Sequence, residues 1–150
     1  MERTLILLKP DALQRAIAME LLNRFERRGL RFVGLKLMQI DTELACRHYA
    51  VHKGKFFFDG LVDHLTSGPI VAAVLEGPDA IQVVRAMVGS TRPSEAEAGT
   101  IRGDYALAGL RNLVHASDAA ETAAEEISLH FMPSELVDYG RGIDRWILEA

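Results

Sequence analysis

Histidine is the side chain best suited to chemistry in this sequence, and one of the five stands apart. His115 lies in Asn112-Leu113-Val114-His115-Ala116-Ser117-Asp118, at the end of an apolar run and just before an expected helix. In a strand, His115 and Ser117 point to one side and Val114 and Ala116 to the other, so an imidazole and a hydroxyl emerge together. A neutral imidazole offers a nucleophilic nitrogen at neutral pH, which suits covalent catalysis. A buried, hydrogen-bonded histidine is the plain alternative. Ser117 and Asp118 do not complete a hydrolase triad with His115, because neighbours on one strand cannot reach relay geometry and no G-x-S-x-G elbow is present.

The other four histidines, His48, His52, His64 and His130, fall on expected short helices, loops or the end of the last helix, where a solvated or half-buried role is expected. His48 and His52 are four apart, a spacing that can bind a metal, but the intervening Glu of the metalloprotease pattern is missing. Neither glycine-rich phosphate motif, G-x-x-x-x-G-K-[ST] or G-x-G-x-x-G, occurs. Any phosphate must therefore be held by side chains. Lys9, Arg85 and Arg102 lie near expected element ends and can converge on one, though lone cations are more often solvated surface. Phe56, Phe57 and Phe58 are consecutive, which strains both helical and strand periodicity. At least one ring is expected to face outward, where it can stack on a base.

These groups sit in a chain of 150 residues, 49% hydrophobic and 25% charged, the profile of one soluble globular domain spanning residues 1–150. The formal charge of -4 argues against a polyanionic partner, but residues 1–60 hold 11 basic and 7 acidic side chains. Residues 116–150 hold 2 and 8. A basic pocket can thus hide in an acidic total. Cys46 is the only cysteine, which excludes an intrachain disulfide and fits a reducing compartment. The apolar run Leu5 to Leu8 is closed by Lys9, too short for a signal-peptide core or a membrane span, so a cytoplasmic protein is expected.

The elements that must position these residues follow from periodicity. Thr4 to Leu8 is expected to be a strand buried on both faces. Asp11 and Gln14 resemble a capping box opening one helix through Leu13, Ile17, Leu21, Leu22 and Phe25, closed by Gly29. Val33, Leu35 and Leu37 alternate as a second strand, and Asp41 or Thr42 caps a short helix to Tyr49. A third strand covers Ile70 to Leu75, with Pro78 at the first position of a helix ended by Gly89. Residues 89–103 lack apolar period and read as a long surface loop. A fourth strand covers about Asn112 to Ala116, and Asp118 is expected to cap the last helix. Two β-α-β units in this order fit an α+β, ferredoxin-like βαββαβ fold, a four-stranded antiparallel sheet with helices on one face. A small parallel doubly wound sheet fits the same pattern.

Taken together, the chain resembles the nucleoside diphosphate kinase family over nearly its whole length. Arg3-Thr4-Leu5-Ile6-Leu7-Leu8-Lys9-Pro10-Asp11 is similar to the family's opening strand, Gly99-Thr100-Ile101-Arg102-Gly103-Asp104 to its arginine loop, and the His115 segment to its active-site signature. The resemblance implies ping-pong transfer of the γ-phosphate of a nucleoside triphosphate through a pros-phosphohistidine at His115 to a diphosphate, with ATP, GTP and GDP among the nucleotides. It assigns Lys9 to the transferred phosphate and ribose, Arg85, Thr91 and Arg102 to the phosphates, and Asn112 to the ribose. Tyr49 would lie near the γ-phosphate, Glu126 would orient the imidazole, and Phe57, with Leu61 nearby, would stack on the base with broad tolerance. Mg2+ would be held by phosphate oxygens and water, with Asp118 reaching that water shell or serving only as a cap. Ala12, Ala16, Met19 and Ala116 stand where the family pattern favours glycine or small residues, and Lys55-Phe56 and Asp59 replace Arg-Pro and Pro.

The tail from Pro133 through Trp146 resembles that of hexameric members, which implies a homohexamer with 133–150 at subunit contacts. A homotetramer is the alternative, and the tail packing on its own subunit the simpler reading. Two rival functions are a catalytically silent nucleotide sensor or scaffold of the same fold, and nucleic-acid binding through the basic first 60 residues. No membrane partner is expected.

Overall fold

The computed structural model describes residues 1–149. Four strands, β1 (Glu2–Leu8), β2 (Arg31–Met38), β3 (Ile70–Gly77) and β4 (Val114–Ala116), form one sheet in the order β2-β3-β1-β4. Each neighbouring pair is antiparallel. This is the βαββαβ arrangement, and it excludes the parallel alternative. Seven helices accompany it: α1 (Pro10–Gln14), α2 (Ala18–Arg27), α3 (Thr42–His48), α4 (Phe58–Thr66), α5 (Ala80–Val88), α6 (Ile101–Tyr105) and α7 (Ala120–His130).

The two central strands explain why both faces are covered rather than one. All of β3 is buried, and so is β1 from Thr4 onward. On one face Ile6, Leu8, Ala73 and Leu75 pack with Leu21 and Phe25 of α2 and Val84 and Val88 of α5. On the other, Leu5, Leu7, Ala72 and Val74 pack with Ala45 of α3, Leu65 of α4 and Phe131. A strand that is apolar at every position can be stable only between two such layers.

Four local expectations are corrected. The helix expected from Asp11 to Gly29 is two, because Ala16 takes a left-handed conformation (φ 57°) and turns the chain between α1 and α2. The regular alternation expected in β2 is broken by a bulge between Phe32 and Gly34, which moves Val33 into the core and leaves Leu35 and Leu37 outward. Pro78 precedes a left-handed Asp79 and lies before α5, not in it. Asp118 does not cap the last helix: its N-cap is Ala119, with no side-chain hydrogen bond. The helix caps at Asp41, whose carboxylate accepts the Leu44 N–H, and at Gly89 are as expected.

Within 89–103 the surface loop is interrupted: Thr100 caps α6 by accepting the Gly103 N–H at 3.0 Å, and Ile101 is fully buried. The C-terminal tail lies on its own chain, with Tyr139 Oη donating to the Phe32 carbonyl at 2.7 Å and Arg141 donating to that of Gly29 at 2.8 Å. Among the described residues no helix is long and apolar enough to cross a membrane.

Candidate active site

Pairing of β4 with β1 places His115 opposite Leu7, so His115, Leu7 and Lys9 share one face of the sheet. That face is the one roofed by α3, α4 and α7. The backbone leading to His115 is held tightly. Leu113 adopts φ 73°, a left-handed conformation costing about 1–2 kcal/mol for a side chain of this kind. Its N–H donates to Asp11 Oδ2 at 3.0 Å and its carbonyl accepts the Lys9 N–H at 2.8 Å. His64 Nε2 donates to the other Asp11 oxygen at 3.0 Å. Burial opposes the charge on Asp11, yet the His64 hydrogen bond and charge, a backbone hydrogen bond and the nearby Lys9 together keep the carboxyl below its ordinary range.

The imidazole of His115 is half-buried and donates from Nε2 to both oxygens of Glu126, at 3.0 and 2.9 Å. That carboxylate fixes the tautomer. Nδ1 is left with no partner among the described residues. Ser117 Oγ donates to Glu126 at 2.6 Å. Burial works against ionisation of Glu126, but hydrogen bonds from His115 and Ser117 hold its carboxyl below the usual carboxylate range.

Cations gather around the strand that carries His115. Lys9, 5% exposed, donates to Asn112 Oδ1 at 2.7 Å, and Asn112 Nδ2 donates to the Thr91 carbonyl at 3.1 Å. Arg102, also buried, donates to the carbonyls of Gly89, Asn112 and Val114 at 3.0, 3.2 and 2.6 Å. Arg85 is exposed and reaches the Ala116 carbonyl at 3.3 Å. Burial, then repulsion from Arg102, pushes the Lys9 ammonium down to about 8, with Asp11 pulling the other way. Burial and Arg85 lower Arg102 to about 10. Two buried cations without a carboxylate bonded to either are poised for an anion. Tyr49 is buried at the end of α3, and burial followed by the Glu126 charge pushes its hydroxyl up.

Of the phenylalanines, Phe56 is 98% exposed, while Phe57 is half-buried against His52, ring centroids 5.2 Å apart. Leu61, on α4, is half-buried against the second core layer. Asp118 is exposed and lines an open cleft of about 630 Å³ with Arg85, Glu2 and Asp79.

Three histidines are more buried than their positions suggested. His48, His64 and His130 are each 9% exposed or less. The His48/His52 metal pair is not formed: His48 turns inward against His115 and His130, whereas His52 faces Tyr49 and Phe57. One group of three metal-ligand side chains occurs among the described residues, His48, His115 and Glu126, with ligand atoms within 4.8 Å of one another. Ligands on a tetrahedral zinc lie only about 3.4 Å apart, and Glu126 is already engaged.

The family model for nucleoside diphosphate kinase matches residues 2–136. The chain belongs to the nucleoside diphosphate kinase family. The nucleoside diphosphate kinase of Roseiflexus sp. (strain RS-1) is 57% identical over 149 residues, 99% of this chain and 100% of that protein. That of Thermomicrobium roseum is 57% identical over 148 residues, covering 99% of each. Among solved structures, the nucleoside diphosphate kinase of Halobacterium salinarum in complex with CDP superposes with a TM-score of 0.97 at 47% identity, covering 99% of each chain. A family member from Babesia bovis gives 0.95 at 44% identity, covering 99% of this chain and 100% of that one.

Six of the positions assigned from resemblance are joined by hydrogen bonds: Lys9, Asn112, Thr91 and Arg102 form one chain, and Glu126 meets His115. Sequence reasoning missed Asp11, His48, His64 and His130 as neighbours of the site. A signal for one of them was present. On α7, Ala123, Glu126, Ile127 and His130 occupy the inward stripe at spacings of three and four, so two ionisable groups stood in core positions.

Proposed function

We propose that this protein transfers the γ-phosphoryl group of a nucleoside triphosphate to a nucleoside diphosphate through His115. The observation that carries the reading is the engagement of Nε2 by Glu126, which leaves Nδ1 as the free nitrogen of a half-exposed imidazole. In the first half-reaction Nδ1 attacks the γ-phosphorus, the Nδ1–P bond forms, and the bond to the bridging oxygen breaks with its electron pair leaving on the diphosphate. In the second, the terminal oxygen of another diphosphate attacks phosphorus and the electron pair returns to Nδ1. Splitting the transfer lets one pocket serve both nucleotides in turn. The Nε2 proton stays between His115 and Glu126, whose charge stabilises the imidazolium character of the phosphorylated ring.

Lys9 and Arg102 stabilise the phosphates, joined by Arg85 and Thr91, while Asn112 exchanges its Lys9 contact for the ribose. Tyr49 stands by the transferred group. Phe57 stacks on the base with Leu61 beside it, a contact with a π-face that tolerates many bases. The CDP complex of the Halobacterium protein supports a diphosphate occupying this fold. Magnesium favours oxygen ligands and retained water, and Asp118, an exposed carboxylate beside the nucleophile's strand, fits a role through its water shell. When bound with the nucleotide, Mg2+ neutralises phosphate charge. A homohexamer in the cytoplasm completes the reading, with the tail at subunit contacts. A silent sensor would have no use for an oriented nucleophile.

Incubation with γ-labelled ATP tests this directly. The expected product is an acid-labile, base-stable phosphoprotein that passes its label to GDP. Absence of label on wild-type protein, or undiminished label on His115→Ala, overturns the reading.

A further inference from the structure

Glu126 holds one edge of the nucleophile's ring. Its carboxylate meets Nε2 at 3.0 and 2.9 Å, which distinguishes that nitrogen from the carbon a half-turn would put in its place, but the two oxygens can follow smaller rotations of the ring. This terminal torsion is intrinsically broad. A second group packed against the ring would narrow that range.

His48 does so. Its ring meets that of His115 edge to face, with centroids 4.4 Å apart and planes at 81°. His48 is in turn held by His130, the two linked by a 3.0 Å hydrogen bond between His48 Nδ1 and His130 Nε2. Both are buried, at 8% and 4% exposure, and their remaining nitrogens, His48 Nε2 and His130 Nδ1, have no partner among the described residues. Glu126 and His130 are four apart on α7 and therefore share a helix face. One helix thus reaches the nucleophile twice.

We propose that the His48–His130 pair is a second positioning arm of the site: His130 orients His48, and the His48 ring fixes the rotation of His115 so that Nδ1 faces the phosphoryl group. The inference rests on His115 being the nucleophile. The hydrogen bond between the two imidazoles needs one ring to present an unprotonated nitrogen, and two neutral rings of complementary tautomer satisfy it. Burial first, then the neighbouring His115, moves both in that direction, His48 well below its ordinary value and His130 to about 4. Two buried polar nitrogens left without partners cost stability, a cost expected where function requires the arrangement.

The test is single-turnover phosphorylation of His115 by γ-labelled ATP in three proteins: wild type, His130→Phe and His130→Gln. Phenylalanine fills the space and removes the hydrogen bond, whereas the glutamine amide nitrogen occupies the place of Nε2. The expected result is a phosphorylation rate about tenfold lower for His130→Phe, with unchanged nucleotide KM and substantial recovery in His130→Gln, since misplacing a reacting group by about an ångström costs up to ~100-fold. Equal rates in wild type and His130→Phe overturn the proposal, as does equal impairment in both variants. A wild type that takes no label overturns the nucleophile itself. Should His130→Phe fail to fold, nitrogen-15 NMR of the wild type decides: complementary tautomers of His48 and His130 sharing one proton are expected, and two independently tautomerising rings overturn the arm.

Discussion

Ser117 Oγ lies 2.6 Å from Glu126 Oε1 and donates to it, so the carboxylate that holds His115 is itself held from the strand that carries His115. The three side chains form a closed brace: β4 and the residue that follows it present the imidazole and the hydroxyl, and α7 answers with one carboxylate. The Ser117 backbone is fixed in the same way, its N–H donating to the Leu5 carbonyl at 3.1 Å.

Replacement of Glu126 by glutamine keeps the shape and removes the charge. An amide still accepts from Nε2 but no longer stabilises the cationic ring. A fall in kcat of about a hundredfold is expected, with nucleotide KM close to that of wild type because Glu126 lies behind the imidazole. Steady-state kinetics at saturating donor and acceptor check this, and an unchanged kcat would sink the role assigned to Glu126.

The depressed Lys9 ammonium predicts an alkaline limb. In the proposed mechanism its charged form binds phosphate; burial holds it at about 8, below the ordinary lysine value, so the cation is lost as pH rises through that range. The free enzyme's kcat/KM should therefore decline above about 8. Lys9→Arg, whose guanidinium holds its charge to higher pH than an ammonium in the same setting, should show lower activity overall but a flat profile from pH 7 to 9. A wild-type kcat/KM that stays level to pH 10 would exclude Lys9 from phosphate binding.

Ala16 offers a gain in stability at no functional cost. Its side chain is exposed and its φ is 57°, so a Cβ is carried in a conformation that glycine adopts freely. Relief of about 1–2 kcal/mol of left-handed strain exceeds the added flexibility of the unfolded chain, and Ala16→Gly should be more stable by about 0.5–1 kcal/mol. Urea denaturation at unchanged m-value reads this as a higher midpoint. A lower midpoint would contradict it.

Strands β1 and β3 were legible in the sequence because continuous apolar runs leave them no choice but burial on both faces. Helix α5 and the caps at Asp41 and Gly89 were legible for similar reasons, each signal lying within a few residues of its effect. The breaks were not. A left-handed alanine at position 16 has no mark in composition, and the bulge at Val33 is a property of two paired strands rather than of one. Arg102 sat in a stretch without apolar period, yet Ile101 anchors that turn in the core and carries the guanidinium inward with it.

The site divides along the same line. The sequence by itself placed His115 and Ser117 on one face of a strand, which follows from its two-residue period, and offered His115 as a candidate nucleophile beside the plainer reading of a buried histidine. Its resemblance to known kinases supplied the cast of Lys9, Asn112, Arg102 and Glu126. Only the tertiary structure decided how they are held: the Asp11 clamp on Leu113, 102 residues away in sequence, and the contact of His48 with His130 across 82. Such partners are brought together by sheet order and helix packing, and neither propensity nor spacing along the chain encodes which two remote side chains will share a hydrogen bond.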